Sequence, residues 1–487
     1  MNTINQLEPK EVFKYFQILS DIPRGSGHEE KVSNWFVNFA KEHGLEWKQD
    51  EYFNVLIKKP GSAGYEDAEP IILHGHMDMV CKKKTDVEHD FLNEGLDLYI
   101  ENGYIRAKGT TLGADNGIGI AYFLALLDDN TLPHPPLEIA LTVMEEMGKV
   151  GGNALKGEWL SAKRMIDLNW HKDDHLLTGC GGDVSVKYTV PIIYEEKKQG
   201  TIAYSIDLMG LRGGHCEFDI VLDRGNAIKL IGRIIRNLLE EIDVQLAWIS
   251  GGVQNNVIPS ESRAVVIIDA QDKKSFLEIL EKTYEELKNE YAVTDPDIQL
   301  KVEKAQWNGK VFSAETTEIV AKSIMLIPNG VMSMSFKIPG ISECSNNIGL
   351  MTMENDCVAI ISTITSGVTT RKHEVMKDIC SLAELVKHGV TAKQFGTDAP
   401  EWEYNPNSKL LAVTKKAYLE LFGEEAQEEV MPASLELGLF REKVGGVLDI
   451  ISIGTETHGV HTPDEELKID SVAKTWKLFK EVLKRLK

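Results

Sequence analysis

Apolar and polar positions along the chain follow two rhythms. From Asn2 to Lys41, apolar residues recur at helical spacing and predict two amphipathic helices, parted by the turn-rich Ile22-Pro23-Arg24-Gly25-Ser26-Gly27. Short strands are then expected at Tyr52–Lys58 and Pro70–His74, and again at Leu137–Val143 and Arg164–Leu168. Between these pairs lies the glycine-rich loop Thr110–Gly119, leading into the apolar helix Ile120–Leu127. Strands alternating with helices predict an α/β sheet layered by helices.

After Gly179-Cys180-Gly181-Gly182, read as a turn, the pattern changes. Val184–Val190 and Gly200–Leu208 alternate as antiparallel strands do. Helix Asn226–Ile242, strand Ala264–Ala270, helix Lys273–Glu290, a strand at Glu354–Thr365 and a helix near Glu374–Gly389 follow. Phe395–Asn407, with two prolines, reads as a return linker. Helices at Ser408–Phe422 and Ser471–Leu486, flanking a strand at Val447–Ile453, resume the first pattern. The expected division is a first domain over 1–187 and 397–487, interrupted by an inserted α+β domain over 188–396. A chain of 487 residues is in any case too long for one core.

Composition narrows the function. A formal net charge of −22 leaves no broad basic surface, so neither nucleic acid nor an anionic membrane is an expected partner. The six cysteines are scattered without a CxxC pair, which fits free thiols in a reducing compartment. The N-terminus lacks the basic and apolar regions of a secretory signal, and no apolar run approaches the roughly 20 residues that span a bilayer. The expected setting is cytoplasmic.

The chemistry concentrates at strand ends. Ile71-Ile72-Leu73-His74-Gly75-His76-Met77-Asp78 is an apolar run ending in an imidazole and a carboxylate two residues apart. Residues i and i+2 of a strand share a face, so Asp78 is placed to receive the second ring N–H of a metal-binding His76. Asp115 lies in the glycine-rich loop, Glu145 and Glu146 are adjacent at a strand end, and His461 lies in a loop before the last helix, with His458 close by. Each has an ordinary reading as a solvated strand end or an exposed helix start. Several such positions in one domain point instead to a divalent cation, Zn²⁺ first, with Mn²⁺ or Co²⁺ as alternatives.

These segments resemble the two-zinc aminoacylase/carnosinase/carboxypeptidase family of metallopeptidases, and most closely its bacterial aminoacyl-histidine dipeptidase branch. The likeness runs nearly end to end. It includes Ile22-Pro23-Arg24, His74 to Val80, Gly113-Ala114-Asp115-Asn116-Gly117, Glu145-Glu146 and Gly179-Cys180-Gly181-Gly182. It continues through Gly210 to His215, Asn256-Val257-Ile258-Pro259, Pro328-Asn329-Gly330-Val331, Leu435 to Phe440, and His461-Thr462-Pro463-Asp464-Glu465.

The resemblance implies a mixed-sheet zinc-peptidase catalytic domain with an inserted α+β lid or dimerisation domain, and a homodimer. It implies two divalent metal ions: His76 on the first, Asp78 orienting its ring, Asp115 bridging, Glu146 and His461 on the second, and Glu145 as general base. His215 and Asn256, in the inserted domain, would bind a small peptide substrate, by default an Xaa-His dipeptide. Hydrolysis of acylated amino acids, or a divergent member with little activity, are the alternatives.

The chain departs from the family pattern in places. Asn169 stands where the family has an aspartate on the first metal, with Asp167 two residues earlier as a candidate substitute. Cys216-Glu217-Phe218 follows His215 where Ser-Gly is usual, and Asn255 replaces an arginine. Thr365-Ser366-Gly367 stands for Arg-Ser-Ser, and Met431-Pro432-Ala433-Ser434 for a His-Ala-Gly segment. Arginine clamps a carboxylate bidentately and no neutral residue does, so these changes imply a shifted substrate or reduced activity.

Overall fold

The computed structural model describes residues 4–487. The chain forms two compact units. The first comprises 4–179, 404–431 and 435–487 of the described residues, and the second 180–403 with 432–434.

In the first unit, helices α1 (Lys10–Asp21) and α2 (Glu30–Glu42) are those the apolar spacing predicts. Strands β1 (Glu46–Gln49), β2 (Val55–Lys59) and β3 (Ile71–His76) follow, then helix α3 (Ala114–Asp128). Strands β4 (Leu137–Thr142), β5 (Arg164–Trp170) and β6 (His175–Pro191) come next. Strand β7 (Asp449–Gly454) and helix α4 (Ile469–Arg485) complete the unit. The sheet order is β1-β2-β4-β3-β5-β7-β6. The central strands β4, β3, β5 and β7 are mutually parallel, so their carboxyl ends emerge along one edge. That edge is where open α/β sheets place their ligands.

β3 and β4 are buried at every position, as expected for strands covered on both faces. The covering helix α3 is itself buried on all sides from Asn116 to Leu127. α1 and α4 bury one face each, with Phe13, Phe16 and Leu19 from α1 and Val472, Phe479 and Val482 from α4 joining the same core. No described helix is long and apolar enough to cross a membrane.

The second unit carries an antiparallel sheet. Its order runs from the latter part of β6 through Cys357–Ser366, Ser342–Glu354, Val244–Gly251, Ser262–Asp269 and Thr201–Met209 to Gln299–Ala305. Period-two alternation divides its side chains. Ala264, Val266 and Ile268 join the main core with helix residues such as Ile231 and Ile324, while Val265 and Ile267 join a smaller cluster with Val311.

Two expectations need correction. Gly179–Gly182 is not a turn but the middle of β6, a continuous strand of 17 residues. The units exchange chain at 179/180 and 403/404, not at 187/188 and 396/397, because one strand serves both units and glycines cannot announce whether they bend or extend. The strand expected at Glu354–Thr365 is the second arm of a hairpin whose turn, Asn355-Asp356, has positive φ at both residues (48° and 56°), the conformation tight hairpins require.

Candidate metal and catalytic site

The site forms within the first unit, at the carboxyl ends of its parallel strands. β3 ends at His76 and the chain passes through Met77 to Asp78; His76 and Asp78 are fully buried. His76 Nδ1 lies 3.4 Å from Asp78 Oδ1, an ion-pair distance without hydrogen-bond alignment. Asp78 also gathers the turn after β4. Its Oδ1 accepts the N–H of Glu145 at 3.1 Å, and its Oδ2 accepts the N–H of Glu146 at 3.2 Å and the Ser26 hydroxyl at 2.8 Å. The preceding amide, Met144, donates to Glu29 Oε1 at 2.9 Å, and Met144 itself adopts left-handed φ (49°). Burial alone would raise the Asp78 pKa, but His76, Ser26 and the Glu145 N–H together hold it below its usual value.

Asp115 is presented by the start of α3, where it and Asn116 have non-helical φ/ψ and share a cis peptide bond. The Glu465 carboxylate accepts three successive N–H groups of this loop, from Leu112 (2.8 Å), Gly113 (3.0 Å) and Ala114 (2.9 Å). Buried Arg24 donates to the carbonyls of Met77 and Asp78, each at 3.1 Å, and to that of Gly113, so one guanidinium ties the His76 segment to the Asp115 loop. Gly75 and Gly119 allow the approach. A Cβ on Gly75 would lie 2.4 Å from Asn116 Oδ1, and one on Gly119 would lie 2.3 Å from the Leu168 carbonyl.

Imidazoles and carboxylates meet around Asp115. His76 Nε2 is 2.9 Å from Asp115 Oδ1. His461 Nε2 is 3.4 Å from Asp115 Oδ2 and 2.7 Å from Glu146 Oε1. His461 sits in the loop between the short strands Thr457–His458 and Glu466–Lys468, with a left-handed φ of 65° that a non-glycine residue adopts only under constraint. Donor atoms of His76, Asp115 and Glu146 all lie within 4.8 Å of one another.

The electrostatics ask for positive charge. Burial opposes a charged His76, yet Asp115 and Asp78 hold its pKa well above the usual histidine value. Hydrogen bonds to Asp115 and Glu146 raise His461 to about 10. Asp115 is held well below the carboxylate range, against burial, by His461 and His76. Neutral imidazole nitrogens with carboxylate oxygens at this spacing fit divalent metal ions. Glu145 is raised to about 7, first by burial and then by its neighbours Glu436, Glu146 and Asp115, with His76 opposing.

Beneath the site, buried His74 bridges two carboxylates, with Nδ1 2.9 Å from Asp167 Oδ1 and Nε2 2.8 Å from Glu436 Oε2. Asp167 and Glu436 raise His74 to about 9 in spite of burial. The other oxygen of Asp167 accepts the Ser452 hydroxyl and the Asn169 N–H. Both oxygens of Asp167 are thus engaged, one with His74 and the other with Ser452 and the Asn169 N–H. Asn169 reaches the site, where its Oδ1 accepts from Asn116 Nδ2, while that same Nδ2 also donates to the Leu168 carbonyl at 2.9 Å.

The sequence profile of Peptidase family M20/M25/M40 matches residues 72–485. The chain belongs to this peptidase family. It is 35% identical over 487 residues to the cytosol non-specific dipeptidase of Escherichia coli K12, covering 100% of this chain and 99% of that protein. It superposes on the aminoacylhistidine dipeptidase of Vibrio alginolyticus with a TM-score of 0.92 at 33% identity, covering 99% of this chain and 97% of that one. The aminopeptidase PepT of Bacillus cereus shares the fold, with a TM-score of 0.56 at 14% identity over 99% of both chains. The chain is thus a hydrolase acting on peptides, and its membership implies divalent metal ions.

The structure brings His76, Asp78, Asp115, Glu145, Glu146, Asn169 and His461 into one region of the first unit. His215 and Asn256 lie in the second unit, paired across a short antiparallel ladder in which His215 faces Val257 and the Cys216 N–H donates to the Asn256 carbonyl at 3.0 Å. Sequence reasoning assigned no role to Arg24, Glu465, Asn116 or Glu436, although each falls in a motif it singled out. It passed over His171, whose Nε2 is 3.6 Å from Asp115 Oδ2.

Proposed function

We propose that this chain is a metal-dependent dipeptidase cleaving Xaa-His type dipeptides, with Glu145 as general base. The observation that carries the proposal is the convergence of His76, Asp115, Glu146 and His461 beside Glu145, in a chain alike from end to end to proteins named as dipeptidases. His76, Asp115, Glu146 and His461 would hold two divalent ions, Zn²⁺ by preference with Mn²⁺ or Co²⁺ as alternatives. Bound there, the ions would lower the pKa of a water and polarise a carbonyl.

The chain's own groups do the rest. Asp78 fixes the His76 ring and, by receiving the Glu145 and Glu146 amides, fixes where the catalytic carboxylate stands. Glu145 accepts a proton from the attacking water and returns it to the leaving amine, a task suited to a carboxyl raised toward neutrality. His215 and Asn256 would hold the substrate's carbonyl or carboxylate, and the working form would be a cytoplasmic homodimer.

A panel of dipeptides and acyl-amino acids, assayed with Zn²⁺, Mn²⁺ and Co²⁺ supplied separately, tests the reading. Turnover of β-alanyl-histidine and other Xaa-His dipeptides above that of acyl-amino acids is expected. Preference for the acylated substrates would replace it with amide hydrolysis, and inactivity with every metal would remove it.

A further inference from the structure

We propose that His171 is an additional nitrogen ligand of the metal centre, reaching it on the side of Asp115 Oδ2. The proposal rests on the reading of His76, Asp115, Glu146 and His461 as that centre. Asp115 divides its two oxygens between imidazoles. Oδ1 faces His76 at 2.9 Å, while Oδ2 is approached by both His461 at 3.4 Å and His171 at 3.6 Å.

The placement follows from β5. The strand closes at Trp170, and His171 is the first residue beyond it, at the same carboxyl end of the sheet as Asn169. Asn169 itself brings no charge, and its oxygen already accepts the Asn116 amide. An ion drawn to Asp115 therefore meets a neutral, engaged amide at 169 and a ring nitrogen at 171. Imidazole suits Zn²⁺ and Co²⁺, and binds them without the repulsion that a further carboxylate would add to this acidic cluster.

The ring is free for the task. Among the described residues, no hydrogen bond occupies either nitrogen of His171, and its ring lies near-parallel to that of Trp170 (23°, centroids 6.2 Å apart). Its side chain is 35% exposed, against 9% for Asp115, so the ring is within reach of solvent. A histidine that only supported Asp115 from outside the coordination sphere could weaken binding when removed, but would leave the Co²⁺ ligand-field bands where the parent has them.

The test is Zn²⁺ binding to the stripped full-length chain, measured in competition with a chromophoric chelator for the parent, His171→Ala and His458→Ala. Co²⁺ visible absorption is recorded on the same proteins, and circular dichroism confirms folding. His171→Ala should weaken at least one Zn²⁺ equivalent by about tenfold or more and change the Co²⁺ bands, as loss of a coordination-sphere group does. His458→Ala should match the parent. A parent that binds Zn²⁺ tightly with the Co²⁺ bands of His171→Ala unchanged, whatever its affinity, overturns this assignment alone. A parent that binds no Zn²⁺ overturns the metal-centre reading and this proposal with it.

Discussion

Asp78 holds Glu145 through the backbone: its Oδ1 accepts the Glu145 N–H at 3.1 Å, while its Oδ2 takes the next amide, Glu146, at 3.2 Å. The carboxylate expected only to orient a histidine also anchors the turn that carries the proposed general base and the glutamate proposed to bind metal. Asp78→Asn replaces one of these acceptors with a donor. It should lower kcat/KM by about 10–100-fold, the usual cost of disturbing a ligand's supporting partner, and lower unfolding free energy by about 1–3 kcal/mol for an unmatched buried amide. Parallel kinetics and urea unfolding measure both; an effect on stability alone would leave Asp78 with a structural part only.

Glu145→Gln should lower kcat by roughly 10²–10⁴-fold, the contribution of a positioned general base, while bound metal measured by elemental analysis stays at the parent level. The base works as the carboxylate, so activity falls as pH drops through its pKa. Its surroundings raise that value to about 7, and a nearby cation lowers it again. The acid limb of the kcat/KM profile should lie at or below neutrality. A limb well above it would assign the base to another group.

Stability toward acid has a separate handle in Glu138. This buried carboxylate accepts Lys58 Nζ at 2.8 Å, the Ser161 hydroxyl at 2.7 Å and the Ser161 N–H at 2.9 Å, which together hold its pKa down against burial. A carboxyl with a depressed folded pKa stabilises above its unfolded pKa and loses that contribution as pH falls through the folded value. Glu138→Gln should therefore destabilise at pH 7 by about 1–3 kcal/mol, with the gap to the parent closing in strong acid. Unfolding curves across pH would show a constant gap if the pair contributed nothing.

Gly119→Ala tests the close approach beside Asn116. Its new Cβ would meet the Leu168 carbonyl at 2.3 Å and the Asn116 side chain at 2.8 Å, so α3 or β5 must shift. A loss of about 1–3 kcal/mol is expected from overpacking, accompanied by weaker Zn²⁺ binding because Asp115 moves with the helix start. Unchanged metal affinity in a destabilised variant would separate packing from the site.

Removing metal should reveal linkage. Ions that bind the folded chain alone stabilise it by about 2.7 kcal/mol at a free concentration one hundred times Kd. Chelation should lower Tm and abolish activity together, and added Zn²⁺, Mn²⁺ or Co²⁺ should restore both. Activity persisting after exhaustive chelation would be incompatible with the proposed chemistry.

Local patterns foretold much of this molecule. Helical spacing marked α1, α2 and α4, and apolar runs ending in His76 or Glu145 marked strands whose tips could bear chemistry. The hairpin turn at Asn355-Asp356 was legible in principle, since such pairs favour left-handed backbone, yet both residues read as the start of the strand Glu354–Thr365. The Gly179–Gly182 segment misled for the opposite reason: glycine permits a bend without requiring one.

Sequence by itself determined which residues were chemically able to hold a cation, because donor type and strand-end position are local properties. It could not determine how they are held, because Arg24 reaching Gly113, Glu465 receiving the Asp115 loop and His74 engaging Asp167 and Glu436 all join segments remote in the chain. Nor did it single out His171, two residues after Asn169, whose Nε2 the fold brings to 3.6 Å from Asp115 Oδ2. Only the parallel packing of β3, β4, β5 and β7 aligned their ends and set which imidazoles reach Asp115, since orientation in a site depends on contacts that exist only after the chain has closed on itself.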